Sequence, residues 1–195
     1  MEMNSTNLGE QSTWFDLYRI TGKTTVASYI STFLSCRHFR QIVYFRKLQN
    51  NKGIKQILYR FLNHFILYKT SIDIPLSVKI GRGLLLIHPY SIAINDQAVI
   101  GDNLTMLKGS TIGNSKTGNK GAPVIGNNVY IGLNSTVVGN VRIGDNVLIA
   151  ANTFVNFDVP NGSLVIGSPG VIHEKENASV AYITNNIYEL LKIYK

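Results

Sequence analysis

Aliphatic residues recur at every sixth position over much of the chain. Ile74, Ile80, Leu86 and Ile92 stand six apart, as do Ile100, Met106 and Ile112, and again Ile125, Ile131, Val137, Ile143, Ile149 and Val155. Gly or Ala often follows, as in Ile80-Gly81, Ile125-Gly126 and Ile149-Ala150. A period of six matches neither the 3.6 of a helix nor the two of an ordinary strand. It marks a parallel β-solenoid, in which each hexad is one short strand plus one corner. Thirteen such positions at three per turn give about four coils. Neighbouring strands lie about 4.8 Å apart, so the stack is roughly 19 Å high.

Two irregularities interrupt the count. Ile92 to Ile100 is eight residues, which places two extra at Asn95-Asp96-Gln97. Ile112 to Ile125 is thirteen, two hexads plus one residue, and Gly113 to Gly121 holds no aliphatic residue. That stretch reads as a loop leaving the prism wall, and long excursions from a regular scaffold often carry function. After Val155 the repeat decays into the turn Asp158-Val159-Pro160-Asn161-Gly162 and the closing segment Val165-Ile166-Gly167-Ser168-Pro169-Gly170.

The flanks read as helices. Met1 to Gln11 is polar and reads as disordered. Ser12-Thr13 can cap a helix through Trp14, Phe15, Leu17 and Tyr18 that ends near Gly22. Thr24 or Thr25 opens a second, with a stripe of Val26, Tyr29, Ile30, Phe33 and Leu34, running to Leu48. A third follows the Asn50-Asn51-Lys52-Gly53 break. Ile54, Ile57, Leu58, Phe61, Leu62, Phe65 and Ile66 form its apolar face, and Lys55, Gln56, Arg60 and Asn63 the polar one. Its aromatic stripe of Phe61, Phe65 and Tyr68 reads as core. The tail Ala178–Tyr194, with Val180, Ile183, Ile187, Leu190 and Leu191, reads as a helix covering the last rung, because an open solenoid end exposes unpaired strand edges. The expected organisation is a helical region over 1–70, a β-helix over 71–172 and a helical tail over 173–195.

Charge is concentrated at one end. Residues 1–70 hold ten Lys+Arg and three Asp+Glu, so +7 of the net +8 lies there. Such a patch suits an anionic membrane face or an acidic polymer, or is simply a solvated or partner-facing surface. No zinc-ligand spacing or nucleic-acid motif accompanies it, so nucleic acid is rejected as a partner. No apolar run reaches the length of a membrane span. Cys36 is the single cysteine, and the polar start lacks a signal peptide's apolar core. The expected location is cytoplasmic, membrane-associated where the basic helices meet a bilayer.

Of four histidines, His38, His64, His88 and His173, only His88 lies within the early hexads. It stands two places after Leu86, near a corner. Asp73 lies fifteen residues earlier, which at eighteen residues per coil is the adjacent rung with an offset of three. A carboxylate can fix an imidazole's tautomer and stabilise its protonated form, making a general base for a hydroxyl.

Asp73-Ile74-Pro75, Lys79-Ile80-Gly81-Arg82-Gly83-Leu84 with His88, Gly109-Ser110-Thr111-Ile112-Gly113, Ala122-Pro123-Val124-Ile125-Gly126 and Val165-Ile166-Gly167-Ser168-Pro169 together resemble the serine acetyltransferase branch of the hexapeptide-repeat acyltransferases. The likeness covers about Ile72 to Ile172. Asp16-Leu17-Tyr18-Arg19 and the Tyr59-Arg60 helix look like the shortened helical region of relatives from polysaccharide gene clusters. The resemblance implies a mainly β chain with a helical N-terminal region, a left-handed parallel β-helix and a C-terminal helix. It also implies a homotrimer, or a dimer of trimers, with active sites between prisms. Acetyl-CoA is the implied donor, with no metal. His88 matches the family's general base and Asp73 its partner. Gly132, Leu133, Ala150 and Ala151 match the pantetheine groove, with Gly113 and Asn114 near its mouth. Backbone N–H groups are expected to steady the oxyanion.

Two departures bear on the acceptor. Serine acetyltransferases usually carry a second histidine where Ala122 stands and an aspartate where Ile87 stands. Without those charges the expected acceptor is an uncharged hydroxyl, on a sugar of a capsular or other surface polysaccharide, with Tyr90 offering a ring face and Asp96 a secondary polar contact. The alternatives are a serine O-acetyltransferase and a non-catalytic hexapeptide-repeat scaffold. Gly170-Val171 follows Pro169 where the family often has a basic residue for the CoA phosphates, leaving Lys116, Lys120 or Arg142 as substitutes.

Overall fold

A computed structural model describes residues 12–67 and 71–193, with the side chains of 62–67 left aside. The readings made for Met1 to Gln11, for Tyr68, and for the side chains of Leu62, Phe65 and Ile66 therefore lie outside what is described. The repeat folds as the hexads dictate. Its strands are β1 (Lys79–Ile80), β2 (Leu85–Ile87), β3 (Ala93–Ile94), β4 (Val99–Ile100), β5 (Thr105–Leu107), β6 (Thr111–Gly113), β7 (Val124–Ile125), β8 (Tyr130–Ile131), β9 (Thr136–Val138), β10 (Arg142–Ile143), β11 (Leu148–Ile149), β12 (Phe154–Val155), β13 (Leu164–Ile166) and β14 (Val171–His173). They stack into three parallel faces. Face 1 is β1-β4-β7-β10, face 2 is β2-β5-β8-β11-β13, and face 3 is β3-β6-β9-β12. β14 turns back antiparallel on β13 and closes face 2.

Each hexad sends two side chains inward. The aliphatic register residues Ile100, Met106, Ile112, Ile131 and Val137 are buried. So are the residues two places before many of them, among them Leu84, Ala98, Leu104, Val129, Val141 and Val147. This second inward row is not evident from the six-residue count. Between face 1 and face 2 the corner residues Asn103, Asn128 and Asn146 adopt positive φ, a region Asn tolerates better than most side chains. They also form a ladder: Asn103 Nδ2 donates to Asn128 Oδ1 at 2.8 Å and Asn128 Nδ2 to Asn146 Oδ1 at 2.9 Å.

The register corrects both irregularities. Ile94, not Ile92, pairs with Ile112, and Ile112 pairs with Val137. Ile92 fills the second inward position, level with Ser110 and Ser135. The two extra residues of the first coil therefore sit at His88–Ser91, between face 2 and face 3, and not at Asn95-Asp96-Gln97. Here the chain turns with two positive-φ residues, His88 at 49° and Ser91 at 54°, where Gly109, Asn134 and Asn152 turn singly in later coils. Likewise Ile100 pairs with Ile125 across a coil of 25 residues, against 18 from Ile125 to Ile143. The stretch from Ile112 to Ile125 is thus one hexad with seven inserted residues. The insert folds down on itself and on the next coil. Ser115 and Gly121 exchange backbone hydrogen bonds, and Asn119 Nδ2 donates to Asn140 O at 2.9 Å.

Among the described residues four helices precede the prism: α1 (Ser12–Thr21), α2 (Val26–Ser35), α3 (Arg37–Asn50) and α4 (Ile54–Leu67). The helix expected from Thr25 to Leu48 breaks at Cys36, which is extended. Arg40 makes the break possible, because its Nη1 donates to the carbonyls of Phe33 and Leu34 at 2.7 and 2.6 Å and satisfies the end of α2. α3 covers the first rung, placing Ile42 and Phe45 in the same core as Ile72, Leu86 and Ile92.

A buried ion pair locks this cover. Arg46 meets Asp16 of α1 with Nε–Oδ2 at 3.0 Å and Nη2–Oδ1 at 3.2 Å, and also donates to the carbonyls of Ile80 and Gly81. The N–H of Leu84 completes Asp16 at 2.8 Å. Beside it, buried Arg19 reaches Asn103 and Thr105 in the second coil.

The tail departs from its expected place. It forms a short 3₁₀ turn at Val180–Tyr182 and then α5 (Ile187–Ile193). Instead of covering the last rung, it runs back along the asparagine ladder, and Ile187 and Leu190 pack on Phe15 of α1. The ladder's free amides draw it there. Asn103 Nδ2 donates to Asn186 Oδ1 and Asn146 Nδ2 to Asn177 Oδ1, at 2.9 and 3.0 Å. At the end of the prism β14 extends face 2, with its three residues exposed.

Candidate active site

The site is built from the three places where the hexads are broken or pared down. The first is the corner after β2. Its two extra residues push His88 and Tyr90 out of the prism, and both are exposed while Pro89 is buried. The corner is held within itself and by the next coil: Tyr90 N donates to His88 O at 2.8 Å, and Gly109 N in the next coil donates to Tyr90 O at 2.9 Å.

Asp73 bridges in parallel to Ala93, giving Ile94 its carbonyl at 2.9 Å. It lies on the adjacent rung as expected, but beside a residue five beyond His88, because the first coil holds 20 residues and not 18. No direct hydrogen bond joins Asp73 to His88 among the described residues.

The second place is a groove of about 400 Å³ at the edge of face 3, lined by Asp73, Pro75, Asp96, Thr111, Gly113 and Asn114 among others. It gathers two carboxylates and the start of the inserted loop. The third is a groove of about 360 Å³ on face 2, where Gly132, Leu133, Ala150 and Ala151 line one wall. The tail supplies Lys175 and Tyr182 to it, and Tyr182 lies against Tyr130 with ring centroids 5.1 Å apart. Lys175 is the cation of this groove that sequence reading missed; the tail's return path, not any motif, brings it there. Arg142 belongs to face 1, and Lys116 and Lys120 stand exposed on the loop. The site residues read from the sequence thus fall into two grooves on different faces, with His88 and Tyr90 at the corner between those faces.

The glycines of the grooves are not equivalent. A Cβ on Gly132 would come within 2.6 Å of Ala151 N, so coil stacking alone demands glycine there. A Cβ on Gly113 would meet nothing closer than 3.7 Å. The fold leaves room at Gly113, and its bare backbone faces the groove.

A second imidazole lies near the first. His38, on the first turn of α3, is held back from protonation by burial and by the neighbouring charge of His88. Its Nε2 lies 3.0 Å from Cys36 Sγ, and burial pushes that thiol up. Sequence spacing gives no sign of this approach, since 50 residues separate the two histidines. Among the described residues no group of three or more His, Cys, Asp or Glu side chains could hold a metal ion.

Residues 122–156 match the bacterial transferase hexapeptide family of six repeats, which sets the class: a hexapeptide-repeat transferase. Serine acetyltransferase of Staphylococcus aureus is 35% identical over 153 residues, spanning 75% of this chain and 71% of that one. Among solved structures, serine acetyltransferase of Neisseria gonorrhoeae aligns with a TM-score of 0.71 and 29% identity, over 88% of this chain and 69% of that one. The soybean apoenzyme aligns with a TM-score of 0.69 and 27% identity, over 84% and 68%. The chain belongs to the serine acetyltransferase family, and its fold is that family's left-handed parallel β-helix with helices at both ends. It is an acyltransferase. The sugar acceptor and the polysaccharide role expected from Ile87 and Ala122 are overturned by these relatives, which match it over most of its length as serine acetyltransferases.

Proposed function

We propose that this chain is a serine O-acetyltransferase that takes its acetyl group from acetyl-CoA. The observation that carries this reading is the 35% identity to a serine acetyltransferase across three quarters of the chain. The geometry supports it. His88 is exposed at a prism corner, where a base can meet a small acceptor. Asp73 and Asp96 bring two carboxylates to one groove, suited to the ammonium group of an amino acid.

The chain's residues divide the work. His88 accepts the proton of the serine hydroxyl as its oxygen bonds to the acetyl carbon, and returns it to the sulfur as the carbon–sulfur bond breaks. Asp73, on the adjacent rung, supplies the carboxylate proposed to balance that imidazole's charge when protonated. Tyr90 and Asp96 bound the acceptor. Gly132, Leu133, Ala150 and Ala151 receive the pantetheine arm, with Gly113 and Asn114 at its mouth and Lys175 placed for phosphate. Acetyl-CoA supplies the activated acetyl group as a thioester. The two grooves lie on different faces of one prism, so a homotrimer that sets face 2 of one subunit against face 3 of the next would complete each site.

The test is thiol release from acetyl-CoA with L-serine, O-methylserine and a panel of sugars. Saturable release with L-serine, and background rates with the blocked amino acid and the sugars, is expected. Release that ignores L-serine would overturn the assignment.

A further inference from the structure

Helix α4 turns its large apolar side chains outward. Ile54, Ile57, Leu58 and Phe61 are 84, 67, 55 and 62% exposed, and their spacing places them on one stripe. The helix is held by another side: Tyr59 meets the ring of Tyr44 at 6.1 Å, and Gln56 Nε2 donates to Leu48 O. Tyr44 also meets Phe33 of α2 at 6.0 Å, and α2 exposes Val26, Ile30 and Leu34. Exposed apolar surface gathered in this way marks an interaction site.

The charge around it has one sign. Between Ser12 and Phe61 the one acidic residue is Asp16, and it is buried against Arg46. The exposed ionic groups of these helices, Lys23, Arg37, Lys52, Lys55 and Arg60, are all cationic. A second copy docking through this same face would set positive surface on positive surface. An anionic lipid surface accepts both features, the stripe at the acyl boundary and the cations among headgroups. No helix among the described residues is long and apolar enough to cross a membrane.

We propose that α4, with the neighbouring face of α2, docks this enzyme peripherally on an anionic phospholipid bilayer. The contact is independent of which hydroxyl accepts the acetyl group.

The test is co-sedimentation of the full chain with vesicles of phosphatidylcholine alone or mixed with phosphatidylglycerol. It is repeated for Ile57→Glu, and for the triple change Lys52→Gln, Lys55→Gln, Arg60→Gln. Gel filtration gives each variant's mass, and thiol release confirms its fold. Wild type is expected to pellet with the anionic vesicles and not with phosphatidylcholine. The triple change should weaken binding roughly a hundredfold, at about one kcal/mol per cation near the surface. Ile57→Glu should abolish binding with activity and mass unchanged. No binding to anionic vesicles, equal binding to both, or variants that bind like wild type would overturn the proposal. A smaller assembly for Ile57→Glu without loss of lipid binding would also overturn it, and would assign the face to a second copy.

Discussion

In the proposed mechanism the proton moves through His88, whose backbone lies in a region few side chains adopt. At a φ of 49° it occupies the left-handed region, which costs a residue with a side chain about 1–3 kcal/mol. Later coils carry no counterpart of it, since Gly109, Asn134 and Asn152, residue types that region suits, stand level with Ser91. An imidazole on a corner tied to the next coil through Gly109 is aimed by backbone, not by a flexible arm. Glycine tells a parallel story. Gly132→Ala should destabilise the fold by about 1–3 kcal/mol or more, because the added carbon meets the backbone of Ala151. Gly113→Ala should leave thermal stability unchanged and raise KM for acetyl-CoA several-fold. Denaturation curves and steady-state kinetics on the two variants separate a glycine kept for stacking from one kept for a ligand.

The elements join through buried charge. Asp16 of α1 and Arg46 of α3 meet over the first coil, each buried, with Leu84, Ile80 and Gly81 completing their hydrogen bonds. Burial raises the Asp16 carboxyl, and Arg46 with the N–H of Leu84 opposes that rise. Neighbouring Arg19 is lowered to about 10 by burial. Removing one partner strands the other, so Arg46→Ala should cost about 3–5 kcal/mol in chemical denaturation. Little of this was legible beforehand. The hexad period gave the faces and the four coils, because a solenoid writes its register into every sixth residue. It did not give the site of each insertion, since Ile92 and Ile94 are both buried aliphatics and a count cannot choose between them. Pairing of Ile94 with Ile112 chooses, and moves the bulge onto His88. The break at Cys36 escaped notice because the residue that permits it, Arg40, acts through its side chain. The tail's path depends on ladder amides 83 residues away from Asn186.

At the scale of the whole molecule, the candidate site is split. His88, Asp73, Asp96 and Gly113 belong to the corner and face 3, while Gly132, Leu133, Ala150 and Ala151 belong to face 2. The residue types were readable from hexads and from resemblance; their division between faces needed the coil registers. If the halves meet only between subunits, two inactive variants can rescue each other. Mixing His88→Asn chains with Ala150→Trp chains, unfolded and refolded together, should restore about a quarter of the sites in randomly assembled trimers. Separately refolded and then mixed, they should restore none; no recovery in either protocol would place each complete site within one chain.

The most direct test of the account is the rate of L-serine-dependent thiol release by His88→Asn. Asparagine tolerates the left-handed corner, so the variant should melt with the wild type while its kcat falls by roughly 10²–10⁴. Turnover unchanged in a variant of unchanged stability would contradict the claim that this imidazole moves the proton.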